Sequence, residues 1–149
     1  MIWELLTNFG LVAPVVAIVT SQILKLIYYF IREGKFNYEH IFEAAGMPSS
    51  HAASVSSLTV AVGILQGWHS IIFAISVIFA SIVMYDAAGV RRAAGNQAKI
   101  LNKMLEDKNK RANLAEEELE ELLGHSPIEV IVGSTVGILV TIILYLVFF

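Results

Sequence analysis

The chain has 149 residues, of which 56% are hydrophobic and 15% are charged, and it contains no cysteine. This length accommodates one domain, expected over residues 1–149, and the hydrophobic share is that of a membrane protein rather than a soluble one. The formal net charge of −3 argues against a nucleic-acid partner, and the absence of cysteine excludes a disulfide framework and a thiolate metal site.

Four apolar stretches predict helices that cross a membrane, at about 9–31, 51–67, 70–88 and 128–148. Crossing a bilayer takes roughly 20 apolar residues, and only the second stretch is clearly shorter than that. The amino terminus lacks the basic segment of a cleavable signal peptide, so we expect the first span to be retained. The predicted fold is an all-α integral membrane protein, a bundle of about four transmembrane helices.

The second span begins within a polar turn, Gly46-Met47-Pro48-Ser49-Ser50-His51. Its two hydroxyl residues are typical of a helix cap, and the same turn is typical of an anion site. Small residues then recur at helical spacing, which predicts a face packed against another helix. That face consists of Ser50, Ser54, Ser57 and Ala61.

The third span ends in a second polar cluster, with Asp86 inside the span and Arg91 and Arg92 after it. An acid within lipid is costly, so Asp86 is expected in a buried ion pair or hydrogen bond. Dense charges and apolar residues at three- and four-residue spacing then predict an amphipathic helical excursion over about 96–123. A capping box at Asn113 and Glu116 predicts two helices there, which could form a helical hairpin or a dimer contact.

The fourth span opens with Ser126, Pro127 and Glu129, a hydroxyl cap, a proline and a carboxylate that suit the start of a helix. Gly133 and Gly137 follow and predict close packing against a neighbouring helix. A homo-oligomer could form through this glycine pair or through the 96–123 helices.

Charge asymmetry predicts the orientation of the bundle. With four spans, all ten Lys and Arg residues fall on or toward one face, and none falls on the face with the two termini. Under the positive-inside rule the basic face is cytoplasmic, in the cell membrane, and both termini are extracytoplasmic.

The polar residues that the spans do not explain converge on this cytoplasmic face. Helix amino termini offer free N–H groups and a favourable dipole to phosphate, and Lys and Arg add charge-assisted hydrogen bonds. Two histidines suffice for covalent phosphoryl transfer, because one can attack phosphorus while the other protonates the leaving oxygen. No metal or other cofactor is expected. The converging residues are Lys25, Arg32, Ser49, Ser50, His51, Arg91, Arg92, His125 and Glu129.

This set resembles the signature of the type 2 phosphatidic acid phosphatase superfamily, and more narrowly its small, divergent membrane branch. The signature reads K-x6-R-P, P-S-G-H and S-R-x5-H-x3-D, and the resemblance covers about residues 25–137. The chain has Glu33, Ser50, Leu119 and Glu129 where the signature has proline, glycine, arginine and aspartate. The matching pieces are Lys25-x6-Arg32, Pro48-Ser49-Ser50-His51 and His125-x3-Glu129.

The resemblance implies a role for each matching residue. His125 would be the nucleophile, Glu129 would orient its imidazole, and His51 would be the general acid. Because Leu119 stands at the signature arginine, Arg91 or Arg92 would take its place. The remaining phosphate ligands would be Lys25, Arg32, Ser49 and Ser50.

Plain structural roles remain open for the same residues. Ser49 and Ser50 could only cap a helix, and Ser126 with Glu129 forms a capping box by itself. Lys25 and Arg32 could be membrane-edge anchors. The functional hypotheses are therefore a phosphatase acting on a phosphorylated small molecule or lipid, and a phosphate- or headgroup-binding membrane protein or transporter component without turnover. Nothing in the sequence marks the oxidant-handling site of a haloperoxidase.

Overall fold

The computed structural model describes residues 3–4, 7–34, 46–112 and 124–148, and within these ranges the regular structure is entirely helical. The prediction of an all-α protein is confirmed. The helices are α1 (Phe9–Glu33), α2 (Ser50–Gln66), α3 (Ile71–Ala88), α4 (Val90–Ala112) and α5 (Pro127–Phe148).

Within the described ranges, three stretches of helix are long and apolar enough to cross a membrane: Phe9–Arg32, Ile71–Met104 and Pro127–Phe148. Their large apolar side chains are mostly exposed, as expected for surfaces that face lipid rather than water. Helix α2 has 17 residues and is therefore about 26 Å long, close to the roughly 30 Å of a hydrocarbon core.

Helix α2 lies at the centre of the bundle, where it packs against α1, α3 and α5. Small side chains make this possible, because helices in lipid associate through close backbone approach rather than through bulky apolar contacts. Ser57 and Ala61 of the predicted packing face are fully buried, and the Thr141 hydroxyl of α5 donates to Ser57 Oγ over 2.7 Å. The predicted packing of α2 on another helix is confirmed.

Helices α2 and α5 approach each other closely at Gly133 and Gly137 of α5. A Cβ on Gly133 would overlap the Ser49 carbonyl, and one on Gly137 would overlap the Ala53 carbonyl. The predicted packing of this pair against a neighbouring helix is confirmed. Because α2 of the same chain covers this pair, the glycines are not exposed for the possible oligomer contact considered above, and a homo-oligomer stays a prediction.

Two backbone hydrogen bonds join three helix ends at the side of the bundle where α2 and α5 begin. The Ser49 N–H donates to the Glu129 carbonyl over 3.1 Å, which links the starts of α2 and α5. The His125 N–H donates to the Ala87 carbonyl over 2.9 Å, which links the segment before α5 to the end of α3. These contacts fix the segments that carry the two candidate histidines.

The predicted excursion over 96–123 is helical in its described part, where α4 begins at Val90, before the predicted start at residue 96. The predicted capping box at Asn113 and Glu116 lies outside the described residues.

Candidate functional site

His125 is almost completely enclosed, with 3% of its surface exposed. It lies two residues before α5, and its Nδ1 is 3.2 Å from Oε2 of Glu129, one helical turn along the chain. A carboxylate can only accept, so the proton shared in this contact belongs to Nδ1. In the neutral imidazole, Nε2 then carries the lone pair.

Glu129 is itself held in place by a capping box at the start of α5. Its Oε2 accepts from the Ser126 N–H over 3.0 Å, and its own N–H donates to Ser126 Oγ over 3.3 Å. The reciprocal pair satisfies two of the free N–H groups of the helix start. The carboxylate that faces His125 therefore has a fixed position before any substrate binds.

The Nε2 atom of His125 is buried and makes no hydrogen bond to any residue that the structure describes. A buried polar atom without a partner carries a free-energy cost of about 1–3 kcal/mol. Structures retain such atoms where they serve a purpose, and a lone pair on Nε2 is what a nucleophilic histidine requires.

His51 lies close to His125 although 73 residues separate them in sequence. The two ring centroids are 6.1 Å apart, with an angle of 60° between the ring planes. His51 belongs to the first turn of α2 and is exposed, whereas His125 is buried. One histidine of the pair thus faces the protein interior and the other can exchange protons with water.

The pKa of His125 lies below its ordinary value of 6.5. Burial is the largest cause, because it disfavours the imidazolium, and the nearby positive charges of His51 and Lys25 act in the same direction. The hydrogen bond to Glu129 and its negative charge oppose this shift without cancelling it. His125 is therefore neutral at physiological pH, with its Nε2 lone pair available.

Lys25 of α1 is buried, with 3% of its surface exposed, and it is close enough to lower the pKa of His125. Its side chain runs along the backbone of Gly46, where a Cβ would be 2.6 Å from Lys25 Cε and 2.9 Å from the Tyr29 hydroxyl. Gly46 also has a φ of +110°, which side chains rarely tolerate. An outward-turned anchor would leave Lys25 exposed, so the structure disagrees with that interpretation.

Ser49 is fully buried and is the N-cap of α2, where its Oγ accepts from the Ala52 N–H over 3.4 Å. Its hydroxyl proton is not used in this cap, so the cap leaves a donor for a phosphate oxygen. Ser50 is the first residue of α2 and is half-buried.

The remaining candidates lie at the edge of this group. Arg32 is exposed near the end of α1, and its Nη1 donates to the Tyr28 hydroxyl over 3.5 Å. Asp86 is half-buried beside Ala87, whose carbonyl accepts from His125. Arg91 and Arg92 belong to the first turn of α4, and their side chains lie outside the described residues.

Two contributors to this site did not follow from the sequence pattern. The Ala87 carbonyl holds the backbone of His125, and alanine carries no side-chain signal. Gly46 supports Lys25, and its sequence signal is only a glycine beside a proline-containing turn.

Comparisons with known proteins agree with the resemblance in the motifs. The profile described as the divergent PAP2 family matches residues 6–140, which is most of the chain. The uncharacterized membrane protein YuiD of Bacillus subtilis (strain 168) is 43% identical over 152 aligned residues, covering 95% of this chain and 96% of the relative. No solved structure matches the chain.

Proposed function

This chain belongs to the divergent PAP2 family, and from that premise and its paired histidines we propose that it is a membrane phosphatase. It would hydrolyse a phosphomonoester or a pyrophosphate through a phosphohistidine. The observation that carries the proposal is the contact between the buried His125, whose Nδ1 faces Glu129, and the exposed His51, with 6.1 Å between the rings.

In the first step, the Nε2 lone pair of His125 forms a bond to phosphorus while the bond from phosphorus to the leaving oxygen breaks. His51 gives its proton to that oxygen, so the product leaves as an alcohol or as phosphate. Glu129 holds the imidazole in the required tautomer and stabilises the positive charge that develops on it, because it accepts from Nδ1.

In the second step, water attacks the phosphorus and the bond between nitrogen and phosphorus breaks, which returns the electron pair to Nε2. His51, now neutral, accepts a proton from the water. Phosphate is released and both histidines return to their starting states.

The phosphate oxygens would be held by Lys25, by the Ser49 hydroxyl and by N–H groups at the start of α2. These groups oppose negative charge without a metal ion. Arg32, Ser50 and one of Arg91 and Arg92 remain proposed ligands at the edge of the site.

The place of the site favours a substrate at the membrane surface. His51 and His125 lie where α2 and α5 begin, and α5 is a candidate membrane span. A lipid-linked phosphate would bring its headgroup to this level. The charge asymmetry of the chain supports a cytoplasmic position for the site.

The test is phosphate release by the purified full-length protein in lipid nanodiscs, supplied in turn with p-nitrophenyl phosphate, pyrophosphate and phosphatidic acid. We expect His125→Ala and His51→Ala each to lower the rate about 10²–10⁴-fold. His69→Ala is the matched control, since His69 is exposed in the turn between α2 and α3. Vanadate, which mimics pentacoordinate phosphorus, should inhibit the wild type.

Equal rates for the wild type and both histidine variants would overturn the proposal. Binding of phosphatidic acid without hydrolysis of any supplied substrate would instead select the other hypothesis, a headgroup-binding protein without turnover. An acid-labile phosphoryl label on the wild type that is absent from His125→Ala would identify the attacking residue.

A further inference from the structure

Helix α4 carries an apolar face that no described residue covers. At 3.6 residues per turn, this face spans about 120° of the helix circumference. We term it the α4 stripe. Its apolar residues are Val90 (59% exposed), Ala93, Ala94, Ile100 (57% exposed), Leu101 (48% exposed) and Met104 (64% exposed), and the polar Gln97 lies among them.

The other faces of α4 differ sharply from the stripe. Gly95 and Ala98 are buried, whereas Lys99 and Lys103 are exposed and lie on the side turned away from the stripe. From Val90 to Met104 the sequence has four basic residues, including Arg91 and Arg92, and no acidic one. Among the helices that the structure describes, α4 combines the strongest amphipathic character with the lowest hydrophobicity.

The stripe begins where a membrane span ends. Tyr85, in the last turn of α3, is 76% exposed and belongs to the surface of α3 that faces lipid. Gly89 separates the two helices with φ −108° and ψ −79°, well away from helical values near −63° and −42°. The regular helix is therefore interrupted at Gly89, at the end of the apolar α3, and α4 starts at the next residue.

We propose that α4 is a surface-binding helix whose stripe enters the interface of the bilayer that α3 leaves. Lys99 and Lys103 then lie on the polar side of the helix, from which long side chains can reach back to anionic lipid headgroups. Exposed apolar residues on one side, basic residues on the polar side and low overall hydrophobicity are the properties of helices that lie in a membrane interface. This inference does not depend on the proposed phosphatase activity.

The basic residues favour lipid over a second copy of the chain as the occupant of the stripe. Two α4 helices packed through their stripes would turn Lys99 and Lys103 of both copies outward and would offer them no carboxylate, because Val90–Met104 contains no acidic residue. Anionic headgroups offer the complementary charge. The dimer contact considered for the 96–123 helices is therefore the rival that the experiment must distinguish.

The chain has no cysteine, so a single introduced thiol can be labelled without background. The full-length Leu101→Cys variant is labelled with an environment-sensitive nitrobenzoxadiazole dye and reconstituted in nanodiscs at one copy per disc. Lys99→Cys is the matched control, because residue 99 is exposed on the opposite side of the same helix. The discs contain phosphatidylglycerol and a lipid with a nitroxide quencher near its headgroup.

We expect the dye at position 101 to be quenched several-fold more strongly than the dye at position 99, with emission shifted to the blue. Equal and weak quenching at the two positions would overturn the proposal. Shielding of position 101 that appears only in discs with two copies would also overturn it, because a second copy would then be the occupant.

A second comparison tests whether anionic headgroups help to hold α4 at the membrane surface. In discs of phosphatidylcholine alone, the quenching at position 101 should fall, and Lys103→Gln should lower it in discs with phosphatidylglycerol. Quenching that is the same in both lipid compositions would overturn the role of anionic headgroups. Gel filtration and circular dichroism of each labelled variant verify that it is folded.

Discussion

At the scale of single residues, one carboxylate oxygen serves two purposes. Oε2 of Glu129 accepts the Ser126 N–H in a capping box and faces Nδ1 of His125. The sequence posed the cap and the catalytic role as alternatives. The structure shows the two contacts together, because the cap fixes the carboxylate and the fixed carboxylate then orients the imidazole.

Charges of both signs act on the pKa of His125, and this predicts how the activity depends on pH. The activity of a histidine nucleophile requires its neutral form, so the acid limb of kcat/KM reports the pKa of His125 in the free enzyme. Burial and neighbouring positive charges lower this pKa below 6.5. We expect activity to persist below pH 6.5 and to be lost as the pH falls through the lowered pKa.

Two substitutions should move this acid limb in opposite directions. Glu129→Gln removes the negative charge that raises the pKa of His125, so the limb should shift to lower pH. Lys25→Met removes a positive charge that lowers it, so the limb should shift to higher pH. Both variants should also lose rate, and pH profiles of phosphate release measure the two effects separately. Identical acid limbs in all three proteins would contradict the assignment of the limb to His125.

At the scale of helices, the contact between α2 and α5 sets the geometry of the site. The backbones meet at Gly133 and Gly137, Thr141 donates to Ser57 deeper in the bundle, and the Ser49 N–H donates to the Glu129 carbonyl at the end. Because the two histidines lie at the starts of these two helices, the packing of the whole interface determines their separation.

Gly137→Ala tests how tight this contact is. The added Cβ would overlap the Ala53 carbonyl, which is backbone and cannot rotate away, so the helices must separate. Overpacking of this kind costs about 1–3 kcal/mol of unfolding free energy. We expect the melting temperature of the protein in detergent, followed by circular dichroism, to fall by several degrees.

The matched control is Gly10→Ala, the same change in α1, where the nearest atom to the added Cβ is the Asn8 side chain at 3.2 Å. A small side-chain movement relieves that contact. Gly10→Ala should therefore leave the melting temperature nearly unchanged, and an equal fall in both variants would contradict a special role for the contact between α2 and α5.

At the scale of the whole molecule, the charge distribution predicts which side of the membrane carries the site. The turn between α2 and α3 contains no basic residue, whereas all ten Lys and Arg residues fall on or toward the other face. We therefore expect the site and α4 to be cytoplasmic, and both termini and the turn at His69 to be outside.

Single cysteines test this orientation in the cysteine-free chain. A membrane-impermeant maleimide added to intact cells should label the His69→Cys variant and leave the Lys99→Cys variant unlabelled. Both positions are exposed, so permeabilised cells should label both and serve as the control. The reverse pattern in intact cells would place the proposed site outside the cytoplasm.

Hydropathy and charge are local properties of a sequence, so the sequence alone determined the helical membrane class, the small-residue packing faces and the choice of His51 and His125. Each helix start also carries its own cap, which is why Ser49 and Glu129 were recognisable. Burial depends on which other helices pack around a residue, so only the tertiary structure decided that Lys25 is enclosed while Arg32 is exposed. It also showed that α2 of the same chain covers Gly133 and Gly137. The sequence predicts that these glycines pack against a helix but does not indicate which one, because the partner helix is distant along the chain.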